Sequence, residues 1–186
     1  MGLKQQIISE TLWGLKCPYS MEPSYITIHN TANNASAAQE VAYLKKNTAS
    51  TSCHIFVDET EAIQCLPLSR NAWHAGDGSN GTGNRCSIGV EICRSTDFET
   101  DRHHLAMLNA AEIVRQLMRE YKIPLDHVVQ HNYWSGKDCP HRIRSEGTWQ
   151  TLLSLCTVSD KEEGDEFMEF KEGYQKISWQ GQIVHV

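Results

Sequence analysis

Residues 131–140 read His131-Asn132-Tyr133-Trp134-Ser135-Gly136-Lys137-Asp138-Cys139-Pro140. The apolar run His127-Val128-Val129-Gln130 precedes them, so His131 falls at the end of a strand, with Lys137 and Cys139 on the loop that follows. An imidazole and a thiolate suit zinc, which takes nitrogen and sulfur donors in tetrahedral geometry. A third donor has to come from elsewhere. His29 is the candidate, at the end of the strand-like run Ser24-Tyr25-Ile26-Thr27-Ile28 and before the polar cluster Asn30-Thr31-Ala32-Asn33-Asn34. Three protein donors leave one tetrahedral position open, the pattern of a catalytic rather than a structural zinc. Taken singly, a strand-end histidine is an ordinary hydrogen-bonded residue and a lone cysteine an ordinary small buried group. The lysine two positions before the cysteine gives the combination its weight.

Thr27-Ile28-His29-Asn30-Thr31-Ala32, together with the 131–140 segment, resembles the two metal-binding segments of the zinc-dependent N-acetylmuramoyl-L-alanine amidases. That family includes phage endolysins and is related to the peptidoglycan recognition proteins. The resemblance runs from about Tyr25 to about Leu155. It implies an α/β fold with a central mixed β-sheet flanked by helices. It also implies Zn2+ held by His29, His131 and Cys139, with Lys137 offsetting the oxyanion of a tetrahedral intermediate. The substrate implied is bacterial peptidoglycan, cleaved between N-acetylmuramic acid and L-alanine. Some relatives use a tyrosine as acid–base, just before a strand histidine. Cys53 occupies that place here, before His54, and a thiol is a poor substitute for a phenol. Others carry a glutamate after a valine, which matches Val90-Glu91. Glu91 therefore takes the role, and His54 becomes a structural histidine or one that supports a metal ligand from behind. The competing reading of Glu91 is an ion pair with Arg94 or Arg85, and that of Lys137 is a solvated surface lysine.

Two other functions share these residues. One is a non-catalytic module that grips peptidoglycan; the other is a zinc peptidase acting on the stem peptide. Non-catalytic relatives typically lack the cysteine, so Cys139 favours the enzyme. The expected groove residues are Asn30, Trp73, His74 and Trp134. Trp73 and His74 lie in Ser69–Asn84, where clustered glycines predict a loop that serves as a binding rim or as a plain connector.

The rest of the chain supplies a frame. Tyr25 to His29 alternates, with Ile26 and Ile28 on one face and Tyr25, Thr27 and His29 on the other. Ser36 and Gln39 form a capping-box pattern before a helix over 37–46, whose inner face is read as Ala38, Val41, Ala42 and the stem of Lys45. Residues 53–57 and 62–66 predict a hairpin around Asp58-Glu59-Thr60-Glu61. Ser87 to Arg94 predicts a strand with Ile88, Val90 and Ile92 facing one way and Gly89, Glu91 and Cys93 the other. Ala106, Ala110, Ile113, Leu117 and Tyr121 mark a helix over 101–121, ended by Pro124. A last helix is read over 146–156. Residues 3–16, weakly amphipathic, predict a short helix.

With 40% hydrophobic residues over 186 positions, the chain can bury a core. Its net charge of -6 is concentrated at one end. Asp160 to Glu172 holds seven acids against two lysines, so the body is nearly neutral. That excludes a general polyanion surface and makes nucleic acid a poor partner. No apolar run is long enough for membrane insertion. Residues 1–157 form the expected catalytic domain, 158–174 an acidic linker, and 175–186 a short β-like tail, the start or remnant of a wall-binding module. The seven cysteines include no C-x-x-C pair and are an odd number, which argues for thiols rather than a disulfide framework. Met1 to Gln6 lacks the apolar segment of a signal peptide. With the resemblance, this predicts synthesis in the bacterial host cytoplasm and action on the wall after release. The oligomeric state is not written in the sequence.

Overall fold

Alternating apolar residues and open backbone edges set six strands in the computed structural model, which describes residues 1–157. In chain order they are β1 (Leu3–Gln5), β2 (Tyr25–Asn30), β3 (Ile55–Val57), β4 (Ala62–Gln64), β5 (Ser87–Ile92) and β6 (Val128–Gln130). The helices are α1 (Trp13–Lys16), α2 (Ala37–Lys46), α3 (Thr82–Cys86), α4 (Arg102–Tyr121), α5 (Asn132–Ser135), α6 (His141–Glu146) and α7 (Trp149–Leu155). The strands make one sheet in the order β1-β4-β3-β5-β2-β6. The β3–β4 hairpin is antiparallel and the other pairings are parallel, so the expected mixed sheet is present. The expected linker and tail fall outside the described residues.

The pleat of β2 and β5 divides the molecule. Ile26, Ile28, Ile88, Val90 and Ile92 are all at 0% exposure and face a core built with α4 and α7. On α4 the buried stripe includes Ala106, Ala110, Ile113 and Leu117, as its spacing predicts. The opposite face of the sheet carries Thr27, His29, Gly89 and Glu91, and α2 packs on that side through Ala37, Val41 and Leu44. The capping box at Ser36 and Gln39 is formed. The inner face of α2 is rotated from the sequence reading: Val41 is buried, but Ala38, Ala42 and Lys45 are exposed. Leu44 is the larger apolar group, and its burial sets the rotation.

Three further elements differ from expectation. Residues 3–5 form a parallel edge strand on β4 instead of helix, and the pairing continues through Gln6 N–H to Gln64 O and Ile8 N–H to Cys65 O. A weakly amphipathic segment gains more from an open strand edge than from an isolated short helix. The last helix is present as α7 but starts later than read, at Trp149, and an unexpected helix, α6, precedes it; Gly147, whose φ of 68° is left-handed, separates the two. Within the glycine loop, α3 forms because the Asp77 carboxylate accepts from the N–H groups of Gly83 (2.6 Å) and Asn84 (3.1 Å). All seven cysteines are free thiols. Among the described residues, no helix is long and apolar enough to cross a membrane.

Candidate metal centre

The parallel pairing of β2 with β5 and β6 assembles the site. In the β2–β5 register His29 stands opposite Glu91, so the two side chains leave the same face of adjacent strands. His131 follows β6, and its N–H donates to Ile28 O at 3.2 Å, which brings it beside His29. The loop after it folds back on itself. Asn132 N–H donates to Cys139 O at 2.9 Å, and the Asn132 amide donates to the carbonyls of Gly136 and Lys137 at 3.0 Å. Gly136, at φ 73°, makes the turn that this closure needs.

One donor atom each from His29, His131 and Cys139 lies within 4.8 Å of the other two. The closest pair is His29 Nδ1 and His131 Nδ1 at 3.1 Å, and Cys139 Sγ is 3.8 Å from His29 Nδ1. The three residues are 2%, 5% and 5% exposed, so water does not satisfy them. Burial lowers the pKa of both histidines; neighbouring charge adds to this at His29, while at His131 Lys137 adds to it and Ala75 and Asp77 oppose it, and both rings stay neutral. Burial, helped by the Glu91 charge, pushes the Cys139 thiol up to about 11. Two neutral imidazoles and a sulfur crowded together in a dry site are a donor set for a borderline-soft divalent cation, and zinc fits it. A cation there would bring the thiol back to thiolate.

Glu91 has no ion-pair partner of the kind considered from sequence. Arg94 pairs with Glu59 at 2.9 Å, and Arg85 lies over the Tyr19 ring. The buried Glu91 Oε2 makes no hydrogen bond. Burial, reinforced by the Glu40 charge and opposed by Lys137, raises the Glu91 carboxyl to about 8. Lys137 is exposed and borders the same groove as Glu91 and the three donors. That groove has a volume of about 380 Å³. A larger hollow of about 520 Å³, between β1 and α4, has no histidine or cysteine in its walls.

The expected groove residues divide. Asn30 and His74 border the groove, whereas Trp73 and Trp134 do not. The Trp73 indole donates to Leu15 O at 3.2 Å, and the Trp134 indole to Thr27 Oγ1 at 2.8 Å. Asn30 Oδ1 accepts from the N–H groups of Arg142 (3.1 Å) and Ile143 (3.3 Å), which fixes the start of α6 beside the site. His54 accepts from Gly89 N–H and lies 2.9 Å from Arg70 O, the structural position expected for it. The far wall was not read from the sequence: Glu40 and Tyr43 of α2, the residue after it, Asn47, then Thr51 and Ser52. The available signal was that Glu40, Tyr43 and Asn47 share a helical face beside the apolar one.

Fold and donor set together define an α/β protein with a mononuclear metal-site geometry at the end of a mixed sheet. The chain belongs to the N-acetylmuramoyl-L-alanine amidase family, whose profile matches residues 19–142. It is 54% identical over 150 residues to the N-acetylmuramoyl-L-alanine amidase XlyB of Bacillus subtilis (strain 168), covering 81% of this chain and 47% of that protein. It is 53% identical over 145 residues to CwlA of the same organism, covering 78% and 53%. The chain thus spans about half the length of these curated relatives. Among solved structures, PlyL superposes with a TM-score of 0.82 at 47% identity, covering 85% of this chain and 98% of that one. The catalytic domain of XlyA superposes at 0.75 with 43% identity, covering 84% and 99%.

Proposed function

We propose that this chain is a zinc hydrolase that cleaves the amide between N-acetylmuramic acid and L-alanine in bacterial peptidoglycan, as a phage or prophage endolysin. The observation that carries this is the convergence of His29, His131 and Cys139 beside Glu91, in a chain whose family relatives are named for that activity. His29, His131 and Cys139 would hold zinc, which when bound supplies Lewis acidity toward a carbonyl and toward water.

The chain's own groups do the rest. Glu91 Oε2, buried and without a hydrogen-bond partner, takes a proton from the attacking water. The same oxygen then delivers it to the nitrogen of the departing L-alanine. Burial holds this carboxyl near neutrality, so that one group serves as base and then as acid. The Lys137 ammonium, at the groove border, offsets negative charge on the carbonyl oxygen of the tetrahedral intermediate. The α2 wall, with Tyr43 exposed at 66%, offers an aromatic edge to an extended glycopeptide. Synthesis in the host cytoplasm, with access to the wall after release, accords with an endolysin role.

The test uses purified cell wall and metal analysis. Wild type should hold one zinc per chain and release stem peptides with a free L-alanine amino terminus, leaving unsubstituted muramic acid in the glycan. Cys139→Ser should lose both zinc and lysis. Fragments in which muramic acid keeps L-alanine would mean a peptidase. Wall binding without any new amino groups would mean a recognition module.

A further inference from the structure

We propose that His74 is a positioning residue that fixes the tautomer and ring orientation of His29 through a buried chain ending on the Ser87 carbonyl. This rests on the metal reading of His29. A neutral imidazole has one N–H donor and one bare nitrogen, and its partners decide which is which. His74 Nε2 lies 3.2 Å from Ser87 O, and a carbonyl oxygen only accepts. His74 Nε2 therefore carries the hydrogen, and His74 Nδ1 is bare. His29 Nε2 lies 2.9 Å from that bare nitrogen, so His29 Nε2 must donate. The lone pair of His29 is left on Nδ1, the atom that faces His131 Nδ1 and Cys139 Sγ. The chain thus turns the donor nitrogen of His29 toward the centre and keeps its hydrogen away from it. A histidine ligand commonly gains basicity and a fixed ring from such a partner on its other nitrogen.

The fold holds His74 on purpose-built supports. Its backbone N–H donates to Asn84 Oδ1 at 2.8 Å, and the next N–H, from Ala75, donates to the same oxygen at 2.8 Å. Asn84 is itself tied to Gly78 O and, through its N–H, to Asp77. On the sheet side the room for the ring comes from Gly89. A Cβ at that position would lie 3.1 Å from His74 Cγ and 2.7 Å from Cys53 Sγ. At 7% exposure, His74 has its ring nitrogens engaged by protein groups, which leaves substrate little to bind. Its role at the groove is directed inward, to His29.

Two substitutions separate acceptor from shape. His74→Phe keeps a flat ring but removes the acceptor; His74→Asn removes the ring but can place an amide oxygen near the position of Nδ1. Zinc affinity is measured by competition with a chromophoric chelator, with circular dichroism as a check on folding. His74→Phe should weaken zinc binding by about 10–100-fold, and His74→Asn should recover much of that loss. Zinc binding by His74→Phe equal to wild type would overturn the relay alone. A wild type that binds no zinc would overturn the metal reading, and the relay with it. If His74→Phe does not fold, nitrogen-15 NMR of the wild-type histidines decides. His29 should be protonated at Nε2 and bare at Nδ1; the opposite tautomer overturns the proposal.

Discussion

At the scale of single residues, Glu91 is the sharpest prediction. A carboxylate in a buried strand needs a partner, and this one has neither an arginine nor a hydrogen bond at Oε2. Glu91→Gln keeps the shape and removes the proton carrier. Zinc content should stay at the wild-type level while kcat falls by about 10²–10⁴-fold, the usual worth of a general acid–base. A variant that hydrolyses wall at the wild-type rate would remove Glu91 from the mechanism. The sequence singled out Glu91, His29, His131, Lys137 and Cys139, which border one groove, because their types and spacing are local pattern. It did not carry the indole partners of Trp73 and Trp134. Both are held by single indole hydrogen bonds to distant positions, Leu15 O and Thr27 Oγ1, which no local pattern encodes. His74 is a similar case, since its partner is set by the fold of a glycine loop against β5.

Elements add what residues alone do not give. Lys16 closes α1 at 0% exposure, and its ammonium donates to Asn47 Oδ1, Ala49 O and Thr51 O. It so pins the end of α2 and the segment after it, the wall of the groove that faces the metal centre. Lys16→Met removes the ammonium that ties these three acceptors together, although Asn47 Oδ1 keeps its bond from Ala49 N–H. Stability should fall by about 1–3 kcal/mol in chemical denaturation, and KM for wall fragments should rise several-fold while zinc content is unchanged. An unaltered KM would mean that the segment holds its shape without the tether.

A second element-scale prediction concerns acid. Glu146, at the end of α6, bonds Arg142 Nε at 2.7 Å and His104 Nε2 at 3.3 Å. Burial works against its ionised form, but the bonds from His104 and Arg142 prevail and lower the carboxyl to about 2 from an ordinary 4.5. A depressed carboxyl contributes stability above its unfolded pKa and loses it as pH falls toward the folded one. Glu146→Gln should therefore lower Tm at pH 7, and the difference from wild type should shrink between pH 4.5 and 2. Comparing the two proteins at each pH cancels proton effects on the metal ligands. A gap that stays constant into acid would show that charge on Glu146 is not what joins α6 to α4. The capping box of α2 and the stripe of α4 were legible because they are local. Edge strand β1 was not, because its hydrogen bonds come from β4, some sixty positions away.

For the whole molecule, strands β2 to β6 were readable but the strand order was not, since β5 inserts between β3 and β2 through contacts distant in sequence. That order is what sets His29 beside Glu91, so the site is a product of topology as much as of motif. The same topology bears on where the working unit ends. Met1–Cys156 forms its own compact unit, with both apolar clusters and every proposed site residue inside it. The structures of PlyL and of the catalytic domain of XlyA align over nearly their whole lengths within this chain. Most of the net charge of -6 lies beyond that unit, in the run Asp160–Glu172. A chain ending at Thr157 is therefore expected to keep the wild-type Tm within about 2 °C, a shift smaller than that from 1 kcal/mol, together with its zinc and its amide cleavage on soluble wall fragments. A Tm lower by 5 °C or more, or loss of zinc, would mean that the later residues belong to the folding unit. Equal stability with weaker action on intact wall would assign those residues to reaching the substrate, leaving the chemistry wholly within the sheet and its loops.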